Sequence, residues 1–213
     1  RLTYSYDRDL LGELVDVWED GKLDTWTLVL VRHGRAVKRS VWNRPKERDK
    51  ETDEATRPLT HDQGETRARA LVPILAAYGV GRVLTSPWKR CVDTVAPYAA
   101  AAGLDLETAG ALTEMAHAES PKGVRSVVKK VLRVREEPTA LCTHRPVLPT
   151  IMEVVSQYAP GKLLRSVPER DPWLQTGETL VVPLARRPVS FTPLPAHETV
   201  LDLLCRPLLV NTL

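Results

Sequence analysis

Residues 26–31 form a nearly continuous apolar run, rich in β-branched side chains, that ends abruptly in the polar sequence Arg32-His33-Gly34. A strand with one solvent-exposed face alternates apolar and polar residues, whereas a run of this kind is typical of a strand buried on both faces. Such strands occur mainly in parallel sheets that helices cover on both sides. This segment therefore points to an α/β fold.

The rest of the chain alternates strand and helix patterns. Further strands are predicted at 81–85, 104–108, 139–143, 178–183 and 189–192, and helices at 7–20 and after residues 60, 86, 120 and 146. Thr60 and Gln63 have the spacing of a capping box, and Ser86 is a cap residue followed by Pro87. The alternation predicts βαβ units and an α/β three-layer sandwich, in which a mostly parallel central sheet has helices on both faces.

Composition limits the classes of protein that fit. The 213 residues are 43% hydrophobic with a formal net charge of +3, and the basic side chains are interleaved with acidic ones, so no nucleic-acid partner is expected. No apolar stretch approaches the ~18 residues of a membrane-spanning helix, so no membrane partner is expected either. The chain has an odd number of widely spaced cysteines, namely Cys91, Cys142 and Cys205. This pattern fits neither a disulfide framework nor a zinc knuckle, and it favours a protein of the reducing cytoplasm.

Histidine and arginine side chains follow three of the predicted strands. Arg32 and His33 come directly after the first strand. Arg90 lies one turn after the second, and His144 follows the strand at 139–143. Ligands of open α/β sheets bind beyond the carboxyl ends of the strands, so the four side chains are expected to share one site. Each alone has an ordinary structural interpretation, but their coincidence indicates function.

Two histidines beside two arginines suit phosphoryl transfer. Arg90 falls in the first turn of its helix, where a cation is disfavoured unless an anion such as phosphate binds there. Nearby guanidinium groups lower the pKa of an imidazole and keep it nucleophilic near neutral pH. One ring is then able to attack phosphorus while the other helps the arginines to hold the equatorial oxygens. The arginines supply the positive charge, so neither a metal nor another cofactor is expected.

Glu114 is the candidate general acid for the departing oxygen. It lies in the long segment between two predicted helices, within Leu112-Thr113-Glu114. A carboxyl group placed beside the leaving group is able to protonate it. A solvated loop glutamate is an equally good interpretation of this position.

These residues stand in motifs that resemble the histidine phosphatase superfamily, to which phosphoglycerate mutases and phosphohistidine phosphatases belong. The segment ending in Arg32-His33-Gly34 resembles its Arg-His-Gly signature, and the later blocks follow in the family's order over about residues 25–158. Those blocks are 57–60, the Ser-Pro-x-x-Arg-x-x-x-Thr block at 85–94, and the second-histidine block at 141–144. The resemblance implies the histidine phosphatase fold.

The resemblance also implies roles for individual side chains. His33 takes the place of the nucleophile, Glu114 that of the acid, and the phosphate pocket comprises Arg32, Arg90 and His144. The chain departs from the family after the second histidine, where Arg145-Pro146 replace the usual glycine or small residue. Arg145 is therefore a candidate third phosphate contact or a side chain that narrows the pocket. Further candidate substrate-binding residues, in and beside a basic loop suited to polyanionic nucleotides, are Arg35, Lys38 and Arg57.

Segments 2–11 and 178–182 have a more particular resemblance, to the actinobacterial MutT-type Nudix proteins that carry a C-terminal phosphatase domain. No Nudix box occurs in the 213 residues. The resemblance implies that residues 1–24 are an N-terminal helix or linker at the tail of a preceding Nudix domain. Residues 25–213 are then the phosphatase domain with a proline-rich C-terminal extension, and a fused or contacting Nudix domain is the expected protein partner.

The leading interpretation is a phosphohydrolase that acts through a phosphohistidine on nucleotide or oxidised-nucleotide di- and triphosphates. Two alternatives remain. One is a protein phosphohistidine phosphatase. The other is a non-catalytic phosphate-binding module packed on a Nudix domain, which the presence of both histidines and both arginines disfavours.

Overall fold

The computed structural model describes residues 25–43, 54–158 and 170–185, together with the backbone of 208–210. The helix predicted at 7–20 and the strand predicted at 189–192 lie outside the described residues. The strands are β1 Thr25–Arg32, β2 Arg82–Thr85, β3 Leu106–Thr108, β4 Thr139–Thr143, β5 Thr179–Ala185 and β6 Leu208–Val210. The helices are α1 Arg39–Trp42, α2 Gln63–Ala77, α3 Lys89–Ala102, α4 Glu114–Glu119, α5 Pro121–Val134 and α6 Leu148–Ser156.

The six strands form one sheet in the order β3-β2-β4-β1-β5-β6. Strands β1 to β4 are parallel to one another, whereas β5 pairs antiparallel with both β1 and β6. The mostly parallel sheet is therefore confirmed. Because β1 and β4 are central neighbours, Arg32 at the end of one strand is in register with Thr143 at the end of the other.

Helices cover both faces of the sheet. Alternate residues of β1 enter two separate apolar clusters, with Leu28 and Leu30 on one side and Val29 and Val31 on the other. The first cluster contains the buried stripes of α5 and α6, and the second contains those of α2 and α3. Burial on both faces is why β1 is apolar along its length, and the predicted three-layer α/β sandwich is confirmed. No helix within the described ranges is long and apolar enough to cross a membrane.

Two helices begin later than the sequence predicts. Helix α2 begins at Gln63 rather than at His61, and the Thr60 hydroxyl accepts from the N–H of Gly64 at 3.0 Å rather than from that of Gln63. Helix α3 begins at Lys89 rather than after Ser86. The Ser86 hydroxyl lies 2.8 Å from His144 Nε2, so this serine serves the site more than the helix end.

Two glycines allow the loop after β1 to approach the start of α2. A methyl group on Gly34 would lie 3.1 Å from the carbonyl oxygen of Gly64. A methyl group on Gly64 would overlap the Arg35 carbonyl oxygen and lie 2.8 Å from Leu59 Cβ. Both neighbours of Gly64 are poorly able to move, since one is backbone and the other belongs to a buried side chain.

We therefore expect Gly64→Ala to lower the free energy of unfolding by roughly 1–3 kcal/mol, the usual cost of overpacking a tight site. Gly110→Ala is the matched control, because nothing lies within 4 Å of a methyl group placed there. Urea denaturation of both variants measures the difference. Equal stability of Gly64→Ala and Gly110→Ala would contradict this account of the loop.

Candidate active site

The loop after β1 is fixed by backbone hydrogen bonds at the carboxyl edge of the sheet. The N–H of His33 donates to the carbonyl of Thr143 at 3.1 Å, so the end of β1 lies beside the end of β4. The N–H of Gly34 donates to the Thr94 hydroxyl on α3 at 2.9 Å. These two contacts turn the chain at His33 and present its side chain at the edge where His144 also emerges.

The His33 ring has a defined tautomer. Its Nδ1 lies 2.7 Å from the carbonyl oxygen of Gly34, an acceptor, so Nδ1 carries the proton. Its Nε2 accepts from Arg90 Nε at 3.3 Å, which requires a lone pair on Nε2. The nitrogen that faces the arginine is thus the nucleophilic one.

Both site histidines are held neutral. Burial, with smaller contributions from the charges of Arg90 and Arg32, lowers the pKa of His33 to about 3, and the bond to Gly34 only partly opposes this. Burial, and then the neighbouring His33 and Arg90, also lower the pKa of His144 well below its ordinary value. The two ring centroids are 5.2 Å apart. Near neutral pH both rings are therefore unprotonated, as a nucleophile requires.

His144 is fully buried and oriented by donors on one side. The Ser86 hydroxyl lies 2.8 Å and the Cys91 thiol 3.4 Å from His144 Nε2. Burial raises the pKa of Cys91, so the thiol keeps its hydrogen. The Glu114 carboxylate oxygen Oε1, an acceptor, lies 3.4 Å from Nδ1, so the ring carries its proton on Nδ1 and its Nε2 accepts from Ser86. The two histidines thus offer complementary groups to the site: His144 a donor N–H on Nδ1, and His33 a lone pair on Nε2.

Arg90 is a fully buried cation in the first turn of α3. Its guanidinium carbon lies 4.5 Å from the centre of the Trp88 ring, and its Nη1 donates to the Glu54 carbonyl at 3.0 Å. Its Nη2 donates to Glu114 at 2.8 Å. These contacts fix the guanidinium beside His33 Nε2.

Arg32 supplies a second cation from the end of β1. Its Nη1 donates to the Leu174 carbonyl at 2.6 Å, in the loop before β5. Its Nε is buried without a hydrogen-bond partner. A buried donor without a partner is costly, and an anion bound in the pocket is the natural acceptor for such a group.

Glu114 is the first residue of the short helix α4, rather than part of a loop as the sequence predicts. Its Oε2 accepts from Arg39 Nη2 at 2.7 Å, while Oε1 accepts from Arg90. The Thr113 hydroxyl accepts from the N–H of Ala116 at 3.1 Å and so caps the helix. The carboxylate therefore lies among the groups that are predicted to bind phosphate.

These side chains line a pocket of about 540 Å³. Its lining combines cations with a few apolar side chains: Arg32, His33, Arg35, Ala36, Arg39, Arg57, Glu114, Arg145, Pro146, Pro149, Asp171 and Thr176. A concave site with several guanidinium groups around a neutral histidine is suited to a polyanionic ligand.

The remaining predicted site residues differ in their placement. Arg145 reaches the pocket but is paired with Asp171, and Arg35 donates to the amide oxygen of Gln63. Arg57 lines the pocket, is largely buried, and donates to the Val37 carbonyl at 2.6 Å and to the Glu54 carboxylate. Lys38 is not among the pocket-lining residues of the described chain.

Three residues that line or contact the site are not among those that the sequence predicts for it: Arg39, Asp171 and Ser86. Arg39 stands in a strongly charged segment that is typical of solvated surface, and Asp171 stands in a loop among prolines. Ser86 has a second interpretation as a helix cap, which concealed its contact with His144. The family's Ser-Pro block was the one signal available, and it marked only Ser86.

His33, Glu114 and His144 are also residue types that bind metals, and their ligand atoms lie within 4.8 Å of one another. Arg90, however, is within hydrogen-bond distance of both His33 and Glu114. A cation placed among these atoms would face a guanidinium at close range. The geometry is therefore better suited to an anion than to a metal ion.

Comparison with known proteins identifies the family that this sequence resembles. Residues 28–124 match the sequence model of the histidine phosphatase superfamily (branch 1). An 8-oxo-(d)GTP phosphatase of Mycolicibacterium smegmatis is 31% identical over 155 residues, which are 72% of this chain. By these two matches the chain is similar to the histidine phosphatase superfamily. It spans 43% of the length of that relative.

Solved structures share the fold at low sequence identity. A protein described as mycobacterial hydrolase 2 has a TM-score of 0.54 and 14% identity, over 87% of this chain and 89% of that chain. The protein histidine phosphatase SixA, complexed with tungstate, has a TM-score of 0.51 and 22% identity, over 75% and 89% of the two chains. A mycobacterial glucosyl-3-phosphoglycerate phosphatase has a TM-score of 0.51 and 13% identity, over 75% and 90%. These likenesses concern the fold alone.

The neutral histidines predict a loss of stability in mild acid. A histidine titrates near pH 6.5 in the unfolded chain but well below that in the folded protein, so below pH 6.5 the unfolded state binds more protons. We expect the free energy of unfolding in phosphate-free buffer to be constant just above pH 6.5. It then falls between pH 6.5 and 5 by up to about 1.4 kcal/mol per pH unit for each ring.

Replacement of His33 by Asn removes one titrating ring and is expected to reduce that slope, as measured by urea denaturation at several pH values. His61→Asn, at an exposed histidine outside the pocket, is the control. The same slope in wild type and His33→Asn would show that His33 is not held neutral by the fold.

Proposed function

We propose that the chain is a phosphohydrolase that works through a phosphohistidine on His33. The observation that carries the proposal is the state of the His33 ring. Its Nδ1 is tied to Gly34, and its Nε2 lone pair faces Arg90 in a pocket that is rich in guanidinium groups. A neutral, oriented imidazole beside fixed positive charge is what attack on a phosphate group requires.

The transferred phosphoryl group binds between Arg32, Arg90 and His144. Arg90 and Arg32 offer charged donors, and Arg32 Nε gains the acceptor that it lacks in the free protein. His144 donates from Nδ1. These groups are fixed before the substrate arrives, so they stabilise the charge that develops on the equatorial oxygens without reorganisation.

Attack by His33 Nε2 forms a phosphorus–nitrogen bond and breaks the bond between phosphorus and the leaving oxygen. Where the leaving group is basic, the protonated form of Glu114, beside Arg90 and His144, gives its proton to that oxygen and becomes a carboxylate. A weakly basic leaving group departs as an anion without it. A water molecule then attacks the phosphohistidine and gives its proton to Glu114. Inorganic phosphate leaves, and the His33 ring returns to its starting state.

The substrate that we propose is a nucleotide or oxidised nucleotide di- or triphosphate. The relative from Mycolicibacterium smegmatis is named an 8-oxo-(d)GTP phosphatase, and the pocket wall adds Arg35, Arg39 and Arg145 beyond the inner cations. The chain is, in this proposal, the phosphatase part of a longer cytoplasmic protein with a Nudix domain. The competing substrate is a phosphohistidine peptide.

Trapping the intermediate tests the proposal. Rapid acid-free quenching after mixing with 8-oxo-dGTP labelled on its terminal phosphate is expected to give an acid-labile, base-stable phosphoprotein, in the presence of EDTA. His33→Ala is expected to give none, because the acceptor nitrogen is gone. A labelled phosphohistidine peptide, supplied at equal concentration, is expected to label wild type more slowly.

Unchanged labelling of His33→Ala would reject the nucleophile. Faster labelling from the peptide would show that the substrate is a phosphohistidine protein rather than a nucleotide. Labelling that disappears in EDTA and returns with Mg²⁺ would reject the metal-free mechanism.

The acid function of Glu114 predicts a dependence on the leaving group. We expect Glu114→Gln to slow alkyl phosphate monoesters about 10²–10⁴-fold, the usual contribution of general acid catalysis. Nitrophenyl phosphate and nucleoside diphosphates, whose leaving groups are weakly basic, are expected to lose much less. The measurement is kcat/KM for wild type and Glu114→Gln across leaving groups of graded pKa, with His33→Ala as the variant that slows all substrates alike. A uniform loss in Glu114→Gln would mean that Glu114 positions Arg39 and Arg90 and delivers no proton.

A further inference from the structure

An exposed ion pair stands at the mouth of the pocket. Arg145 follows His144 and is half-exposed, whereas His144 is fully buried. Its Nε donates to Asp171 Oδ1 at 2.7 Å, and its Nη2 donates to the second carboxylate oxygen. The guanidinium thus already holds an anion by the two-point contact that it would also make with a phosphate.

The pair is connected to the inner phosphate site. Asp171 lies in the loop before β5, and three residues later the carbonyl of Leu174 accepts from Arg32. Burial and then the charge of Arg145 lower the pKa of Arg32, while the charge of Asp171 opposes this. The two members of the pair therefore act on the inner cation with opposite sign.

Because the ion pair is exposed, its two side chains are easily separated. Exposed ion pairs contribute little to stability, because water screens both charges. Arg145 and Asp171 are both about half-exposed, whereas the deeper pair of Arg90 with Glu114 is largely enclosed. An incoming phosphate therefore competes with Asp171 for Arg145 at small cost.

Arg90 and Arg145 lie at different depths in the pocket and are therefore suited to different parts of a substrate. Arg90 is fully buried beside His33, so it holds the group that is transferred. Arg145 lies at the opening and is suited to an anion further out along the substrate. The other arginines on the pocket wall differ, since Arg39 is engaged with Glu54 and Glu114, and Arg35 with the neutral Gln63.

We propose that Arg145 and Asp171 form a latch that selects substrates carrying a second phosphate next to the one transferred. The second phosphate displaces Asp171 and takes Arg145 by the same two-point contact. Asp171 holds the arginine in place in the free protein and competes with substrates that carry a single phosphate. The inference rests on the proposed function for the identity of the inner site.

Equilibrium binding tests the latch independently of turnover. The probes are methylenediphosphonate, a diphosphate analogue whose P–C–P bridge is not hydrolysed, and orthophosphate, both measured by calorimetry. The ratio of their affinities is expected to fall roughly tenfold in Arg145→Gln, which loses a charge-assisted contact, and to rise severalfold in Asp171→Asn, which loses the competitor. Arg125→Gln is the matched control, since Arg125 forms a surface pair with Glu153 on the helices α5 and α6.

An unchanged ratio in both variants, or a fall in both, would overturn the latch; so would the absence of diphosphonate binding to wild type. These outcomes are distinct from failure of the proposed function. That failure appears as the absence of label on His33, whatever the affinity ratio.

Discussion

The buried guanidinium of Arg90 is the constraint on which the rest of the site depends. A charge without solvent contact is costly unless its donors are satisfied, and here a carboxylate, a backbone carbonyl, an imidazole nitrogen and an aromatic ring surround it. Those contacts draw Glu54 and Glu114 to the end of α3. Burial above all, and then the positive charge of Arg90, lowers the pKa of His33 and keeps the ring neutral.

The positive charges of the site are balanced separately in its inner part and at its opening. In the inner part, Arg90 donates to Glu114 and to a backbone carbonyl, Arg32 donates to another backbone carbonyl, and the two neutral histidine rings lie 5.2 Å apart. At the opening, Asp171 compensates Arg145. In the proposed function, an entering phosphate ester exchanges some of these internal partners for its own oxygens and supplies an acceptor for Arg32 Nε.

The fold and the inner site could be predicted because both depend on features that are local in sequence. The apolar run before Arg32 requires a strand buried on two faces, and the ends of parallel strands meet at one edge. Helix starts were less predictable. The Ser86 hydroxyl is able to cap a helix or to bond to an imidazole, and only packing brings His144 close enough to decide between them.

The sequence by itself determined the α/β class, the strand ends and the four residues Arg32, His33, Arg90 and His144, since each follows from a pattern within a few positions. Only the tertiary structure decided which carboxylates form ion pairs with the arginines. Arg39 and Glu114 are 75 residues apart, and Arg145 and Asp171 are 26 apart. No local pattern links such residues, because Coulomb attraction acts over distances in space and the loops that set those distances are positioned by the packed sheet.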